Sequence, residues 1–184
     1  AVPEGKGAML AVMGLDVNEL NTLLNKFNDK NGTCEIANDN SLGQIILSGD
    51  KESLISFSNN LKLEKKRCIF LPVSAPFHCS LMKPAAEKMK LFLQKTEFKN
   101  TTLKIISNVT ALPVKKDEDI KDLLYKQIFS QVRWRETVEY MIKNDINDFI
   151  EIGPGKVLSG LVKRTNDKVL TRSLTKIEDI KNLQ

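Results

Sequence analysis

The stretch Cys34-Glu35-Ile36-Ala37-Asn38-Asp39-Asn40-Ser41-Leu42-Gly43-Gln44-Ile45-Ile46-Leu47-Ser48 decides how the first part of the chain folds. Two short runs of strand formers, residues 34–38 and 44–48, flank a segment rich in Asn, Asp, Ser and Gly, the residues that form tight turns. The pattern is that of a β-hairpin, with its turn expected over residues 38–43. Upstream, residues 7–13 form a compact apolar run closed by Gly14, which reads as a strand. Asp16 is placed to cap a helix over residues 17–28, with Leu20, Leu23, Leu24 and Phe27 at helical spacing. Downstream, Asp50 opens a helix to residue 61 whose apolar face carries Leu54, Ile55 and Phe57, and residues 67–73 read as a strand. The order is β-α-β-β-α-β, the split-βαβ or ferredoxin-like arrangement.

Beyond residue 73 the pattern changes. Residues 80–96 are a long amphipathic helix, 104–108 a strand ending at Asn108, and 117–130 and 135–143 further helices. Residues 148–152 form a strand that runs into Gly153-Pro154-Gly155; a helix at 156–164, a strand at 168–172 and a closing helix at 177–183 follow. Strands alternating with helices imply an α/β layer with parallel strands, in which ligands sit at the strands' carboxyl ends. Asn108 and the Gly-Pro-Gly turn occupy such ends. Taken alone that turn reads as an ordinary strand-to-helix connection, and the other positions of a P-loop or dinucleotide fingerprint are missing.

Composition narrows the function. The 184 residues are 41% hydrophobic and 28% charged, which is enough apolar material for a core in one domain or two small ones. No apolar run is long enough to span a membrane. Cys34, Cys68 and Cys79 are widely separated and only one histidine is present, so neither a disulfide framework nor a metal site is expected. The net charge of +5 is uneven, with a balance of −1 over residues 1–74 and +6 over 75–184. Lys65-Lys66-Arg67 is the only basic triplet, and there is no basic stripe interleaved with aromatics, so no nucleic-acid partner is expected. The basic surplus reads either as a solvated lysine-rich surface or as a field that steers an acidic partner.

The single histidine, His78, lies in Val73-Ser74-Ala75-Pro76-Phe77-His78-Cys79-Ser80-Leu81-Met82, the joint between the two parts. Its position fits a functional residue on a connecting loop and equally a structural one. Cys79 is a poor nucleophile for it, because consecutive side chains point different ways. The nucleophile elbow G-x-S-x-G is absent, and Ser159 falls inside a helix. A base is present without an evident nucleophile.

Five segments occur in order: Ala1-Val2-Pro3-Glu4-Gly5-Lys6-Gly7-Ala8-Met9, Asn40-Ser41-Leu42-Gly43-Gln44, the segment 73–82 around His78, Gln131-Val132-Arg133-Trp134, and Glu151-Ile152-Gly153-Pro154-Gly155-Lys156-Val157-Leu158. Together they resemble the C-terminal part of the bacterial malonyl-CoA:acyl carrier protein transacylase family. The resemblance implies an α/β-hydrolase-like parallel-sheet domain, here residues 74–184, carrying an inserted ferredoxin-like subdomain, residues 1–73. It implies a cytoplasmic acyltransferase of fatty acid biosynthesis, with malonyl-CoA and acyl carrier protein as partners and no cofactor beyond the coenzyme A thioester that is its substrate. In the family a serine takes malonyl from coenzyme A and passes it to the carrier's phosphopantetheine thiol. His78 would be the base that activates the serine and then the thiol, oriented by a backbone or side-chain oxygen at Gln127. Phe77 before the histidine would be a bulky ring beside the substrate's α-carbon; Asn108 matches a family asparagine at the strand end near the site, and Asn40 one in the insert that lines the pocket, both as substrate-binding candidates. Lys65, Lys66 and Arg67 are candidates for docking the acidic carrier.

The family's serine elbow, its carboxylate-binding arginine and its oxyanion-hole donors all precede the matching segment. The 184 residues alone are therefore expected to be inactive, and residues 104–172 to show exposed apolar faces. The alternative is a module that binds the carrier protein without chemistry.

Overall fold

The computed structural model describes residues 2–27, 32–99, 102–114 and 117–181. Its first strand, β1 (Gly7–Met13), is followed by α1 (Val17–Phe27), β2 (Cys34–Ser41), β3 (Gln44–Asp50), α2 (Lys51–Leu63) and β4 (Arg67–Phe70). The four strands form one antiparallel sheet in the order β2-β3-β1-β4, the ferredoxin-like topology expected from the element order.

Local signals act as read. Asp16 Oδ1 accepts the N–H groups of Asn18 and Glu19, while Glu19 Oε2 accepts the N–H of Asp16, a reciprocal cap at the start of α1. Asp50, at the start of α2, behaves differently: its carboxylate makes no cap bond and accepts the Thr33 N–H at 2.6 Å, tying β3 to the start of β2. The sheet is buried on both faces. Leu10, Val12, Ile45 and Leu47 pack under Leu20 of α1 and Leu54, Phe57 and Leu61 of α2, with Phe27 and Phe57 edge to face at 5.0 Å. Met9, Ala11, Ala37 and Ile46 form a second cluster on the opposite face.

The hairpin turn is shorter than its sequence suggests. β2 continues through Asn38, Asp39, Asn40 and Ser41, with register shifts on either side of the Asn38–Asp39 pair, and only Leu42-Gly43 turns. Residues of turn-forming type are held extended because β2 has a partner on each side. Val132 accepts from the Asp39 N–H at 2.9 Å and donates to the Ala37 carbonyl at 2.8 Å.

The rest of the chain is α3 (Lys83–Lys95), preceded by a 3₁₀ turn over Ser80–Met82, then α4 (Asp117–Gln127), α5 (Trp134–Lys143), β5 (Asp148–Ile152), α6 (Val157–Thr165), β6 (Leu170–Leu174) and α7 (Ile177–Lys181). β5 and β6 pair in parallel, so β5-α6-β6 is a βαβ unit. Val138, Val162 and Val169 form its core with Trp134, Met141, Ile142 and Phe149 around them.

Several boundaries differ from expectation. β4 ends at Phe70, α4 ends at Gln127, and β6 lies two residues further along. The expected helix ends at Asn28 and Leu183 fall outside the described residues. The strand expected over 104–108 does not form. Ile106 makes only an isolated bridge to Pro113. The segment's amides are used locally instead, Ser107 N–H donating to Leu112 and Val114 N–H to Ile105. Exposed apolar side chains do appear across this half, among them Ile105, Ile146, Ile150, Ile152, Val157 and Leu170.

Candidate active site

His78 sits on a loop fastened at several points. Pro76 is fully buried, and its ring lies so close to β1 that a Cβ added at Gly7 would approach it to 2.3 Å. Only glycine fits there without displacing the loop. Cys79 is also buried, and its thiol donates to the Pro76 carbonyl at 3.2 Å. Burial pushes that thiol's pKa up, so Cys79 is a packed side chain and no thiolate nucleophile. Ser80 then meets Glu35 of β2: its N–H donates to one carboxylate oxygen at 3.0 Å and its hydroxyl to the other.

Between these anchors His78 has φ 60°, the left-handed region. A non-glycine residue there costs roughly 1–3 kcal/mol and persists only where its surroundings over-determine it. The half-buried imidazole points Nδ1 at the backbone carbonyl of Gln127, 2.9 Å away. A carbonyl oxygen only accepts, so Nδ1 carries the proton and Nε2 of the neutral ring keeps its lone pair. The carbonyl is free because α4 ends at Gln127; in the turn beyond, Ile128 and Phe129 donate to Tyr125 and Lys126. Gln127 thus meets the histidine through its backbone, a contact its side-chain identity does not encode.

The other sequence candidates scatter. Phe77 is 42% exposed next to His78. Asn108 is half-buried, and its carbonyl accepts the Arg133 N–H at 3.0 Å. Asn40 lies half-buried in the irregular stretch of β2. Among the described residues neither asparagine hydrogen-bonds to His78. The two are linked through α5, whose Arg135 grips Asp39 beside Asn40. Its Nη2 and Nε donate to the carboxylate at 2.8 and 3.0 Å, and its Nη1 to Glu139 at 2.8 Å. Asp39 is 1% exposed, and its pKa is raised because loss of water outweighs the bonds from Arg135; the pair in turn raises the Arg135 pKa. Arg133 pairs with Glu136 and holds that carboxyl below its ordinary value.

Lys65 and Arg67 are exposed around the turn into β4, and Lys66 is half-buried. Arg67 pairs with Met13 at one end of β1, whereas the His78 loop crosses Gly7 at the other. Six strand steps put the basic triplet about 20 Å from the loop along the strand.

Gly153 and Gly155 adopt φ of 138° and 92°, so the turn needs glycine for its backbone path; no atom lies within 4 Å of an added Cβ at either. The α6 N-terminus that follows is occupied internally, since the Glu151 carboxylate accepts the N–H groups of Leu158 and Ser159. These bonds lower the Glu151 pKa against the upward push of lost water. Ser159 shares a hydrogen bond with Ser173. Among the described residues no cluster of three or more His, Cys, Asp or Glu is placed to hold a metal, and no helix is long and apolar enough to cross a membrane.

Glu35, Asp39 and Arg135 were not singled out by sequence reasoning. Asp39 was hidden in an apparent turn, while Glu35 and Arg135 resemble ordinary surface charges until their partners 45 and 96 residues away are known.

Fold and site together define an α/β chain in which one imidazole, oriented by a helix-end carbonyl, stands at the join between a ferredoxin-like sheet and a parallel βαβ unit. No family model matches it. It is 42% identical over 182 residues to the malonyl CoA-acyl carrier protein transacylase of Bacillus subtilis (strain 168), covering 98% of this chain and 57% of that protein. It is 38% identical over 175 residues to the enzyme of the same name from Escherichia coli O157:H7, covering 95% and 56%. The solved malonyl CoA-acyl carrier protein transacylase of Clostridium perfringens superposes with a TM-score of 0.93 at 37% identity, over 98% of this chain and 57% of that one. A malonyl-transacylase solved in complex with its type II PKS acyl-carrier protein gives 0.91 at 33% identity, over 98% and 59%. Over the segment it spans the chain is thus similar to malonyl CoA-acyl carrier protein transacylases; that segment is a little under three fifths of the length of the curated relatives.

Proposed function

We propose that the chain supplies the general-base part of a malonyl-CoA:acyl carrier protein transacylase acting in fatty acid biosynthesis. The observation that carries this reading is the His78 Nδ1 to Gln127 carbonyl bond, in a chain related over 98% of its length to transacylases. With Nδ1 committed, Nε2 is the acceptor. It takes the proton of a serine hydroxyl as that oxygen attacks the malonyl thioester carbonyl, and returns it to the departing coenzyme A sulfur. In the second half-reaction it takes the proton of the carrier's phosphopantetheine thiol as the sulfur attacks the malonyl ester, and hands it to the serine oxygen as that leaves. General-base action of this kind is worth about 10²–10⁴ in rate.

On this reading the serine would belong to the part of the relatives that this chain does not span. The 184 residues alone would then bind without turnover. Phe77 would crowd an α-branched acyl unit, Asn108 and Asn40 would line the pocket, and Lys65, Lys66 and Arg67 would meet the acidic carrier. Residues 1–73 would form the insert and 74–184 the rest of the catalytic domain.

The test is malonyl transfer from malonyl-CoA to carrier protein, followed by mass, with the chain completed by the remaining family segment. His78→Ala is expected to lower the rate by about 10²-fold or more while carrier binding stays intact. Unchanged transfer by His78→Ala, or turnover by the 184 residues alone, overturns the reading. The second reading is a carrier-binding module without chemistry; the malonyl-transacylase solved with its acyl-carrier protein supports the binding that both readings share. It predicts carrier binding in the completed chain without any transfer.

A further inference from the structure

We propose that Glu35 is a positioning residue for His78, acting through Ser80. The imidazole is strung between two supports that belong to different elements. Its ring is held by the end of α4, through the Gln127 carbonyl at 2.9 Å. Its backbone is held to the four-stranded sheet, and on the C-terminal side of His78 that tie is the double bond from Ser80 to the Glu35 carboxylate. Glu35 is itself fixed in β2, paired in register with Ser48 of β3. The carboxylate has two acceptor oxygens, and here one residue's N–H and O–H use both.

The tie bears on His78 because of its backbone. At φ 60° the residue is in a conformation that a non-glycine leaves when its surroundings loosen. Ser80 also begins the 3₁₀ turn, where first-turn amides have no partner within the helix, and Glu35 supplies one. Pro76 and Cys79 hold the loop by packing and by a thiol bond within the loop itself. Glu35 reaches the loop from the sheet with two hydrogen bonds from one residue. Without it, Ser80 is freed, His78 relaxes toward a negative φ, and Nδ1 moves away from a carbonyl whose bond tolerates only a few tenths of an ångström. Its consequence for catalysis rests on reading His78 as the base; its consequence for the ring's placement does not.

The single histidine makes the placement directly readable. In the ¹⁵N-labelled full chain, a long-range ¹H–¹⁵N spectrum at a pH where the ring is neutral contains one imidazole, and its two nitrogen shifts report the tautomer. The wild type is expected to show the Nδ1–H form, although a free side chain favours Nε2–H. Glu35→Ala is expected to lose Nδ1–H as the dominant form. Glu35→Gln, which still offers an oxygen to the Ser80 N–H and an amide to its hydroxyl, is expected to retain it. In the transfer assay on the completed chain, Glu35→Ala lowers kcat about tenfold with KM for malonyl-CoA unchanged. A wild-type tautomer pattern in folded Glu35→Ala overturns the proposal. Should that variant fail to fold, Ser80→Ala decides: it removes the hydroxyl bond alone, a smaller shift in the same direction supports the proposal, and none overturns it. A lost Nδ1–H form with kcat unchanged would support the positioning role and sink the base reading.

Discussion

β1 and β5 are both short strands that carry large apolar side chains, and those side chains end in opposite surroundings. Leu10 and Val12 of β1 are fully buried, whereas Ile152 at the end of β5 is 78% exposed and Ile150 is 42% exposed. β1 lies under α1 and α2 on one face and above the Met9–Ile46 cluster on the other. β5 turns Phe149 toward Val138 and Val162 of α5 and α6, while alternate residues face outward. β5 also carries Asp148 and Glu151 where β1 has no charge, yet its exposed Ile150 and Ile152 are as apolar as the buried residues of β1; what differs for them is whether the face has a layer to pack on. A strand's apolar pattern reports a face that seeks cover, and it is silent on where that cover comes from.

The contrast can be tested by truncation. Leu47→Ala in β3 removes a fully buried side chain from the covered sheet and is expected to cost about 3 kcal/mol in denaturant unfolding. Next in size is the seam between the two halves. Arg135→Ala leaves the buried Asp39 carboxylate without its partner and is expected to cost about 2 kcal/mol. It should also loosen β2 near Val132, seen as faster amide exchange at Asp39. Unchanged exchange would mean that the backbone contact holds the seam unaided. Ile152→Ala should have the smallest effect, within about 0.5 kcal/mol. A loss comparable to that of Leu47→Ala would break the comparison, because it would mean that a further layer covers β5 in solution.

The same contrast explains what was legible beforehand. The βαββαβ half was readable because its signals are local: the Asp16–Glu19 cap, the apolar spacing of α1 and the hairpin within 34–48. The segment 104–108 failed as a strand because strand formation needs a neighbour, and residues 112–114 took its hydrogen bonds first. Residues 38–41 were misread for the complementary reason. Their composition favours a turn, but Val132 and Arg135 hold them straight from far along the chain. In the candidate site, His78 was found because it is the only histidine in its sequence, and Gln127 only through family resemblance. Glu35 left no local mark, since its role exists only once β2 and the loop at Ser80 have been brought together.

The contact at Val132 also bears on how the molecule avoids its own kind. An open sheet offers two rims of unpaired amides, each a template on which a stray strand could grow. At the β2 rim, one residue of an irregular segment takes the Asp39 amide and the Ala37 carbonyl, and Arg135 locks the site shut. That leaves the β4 rim, only four residues long and entered through Lys65, Lys66 and Arg67, a cluster of like charge that a second copy would have to approach. On this rim the basic triplet sets like charge against like charge wherever a second copy would have to pair.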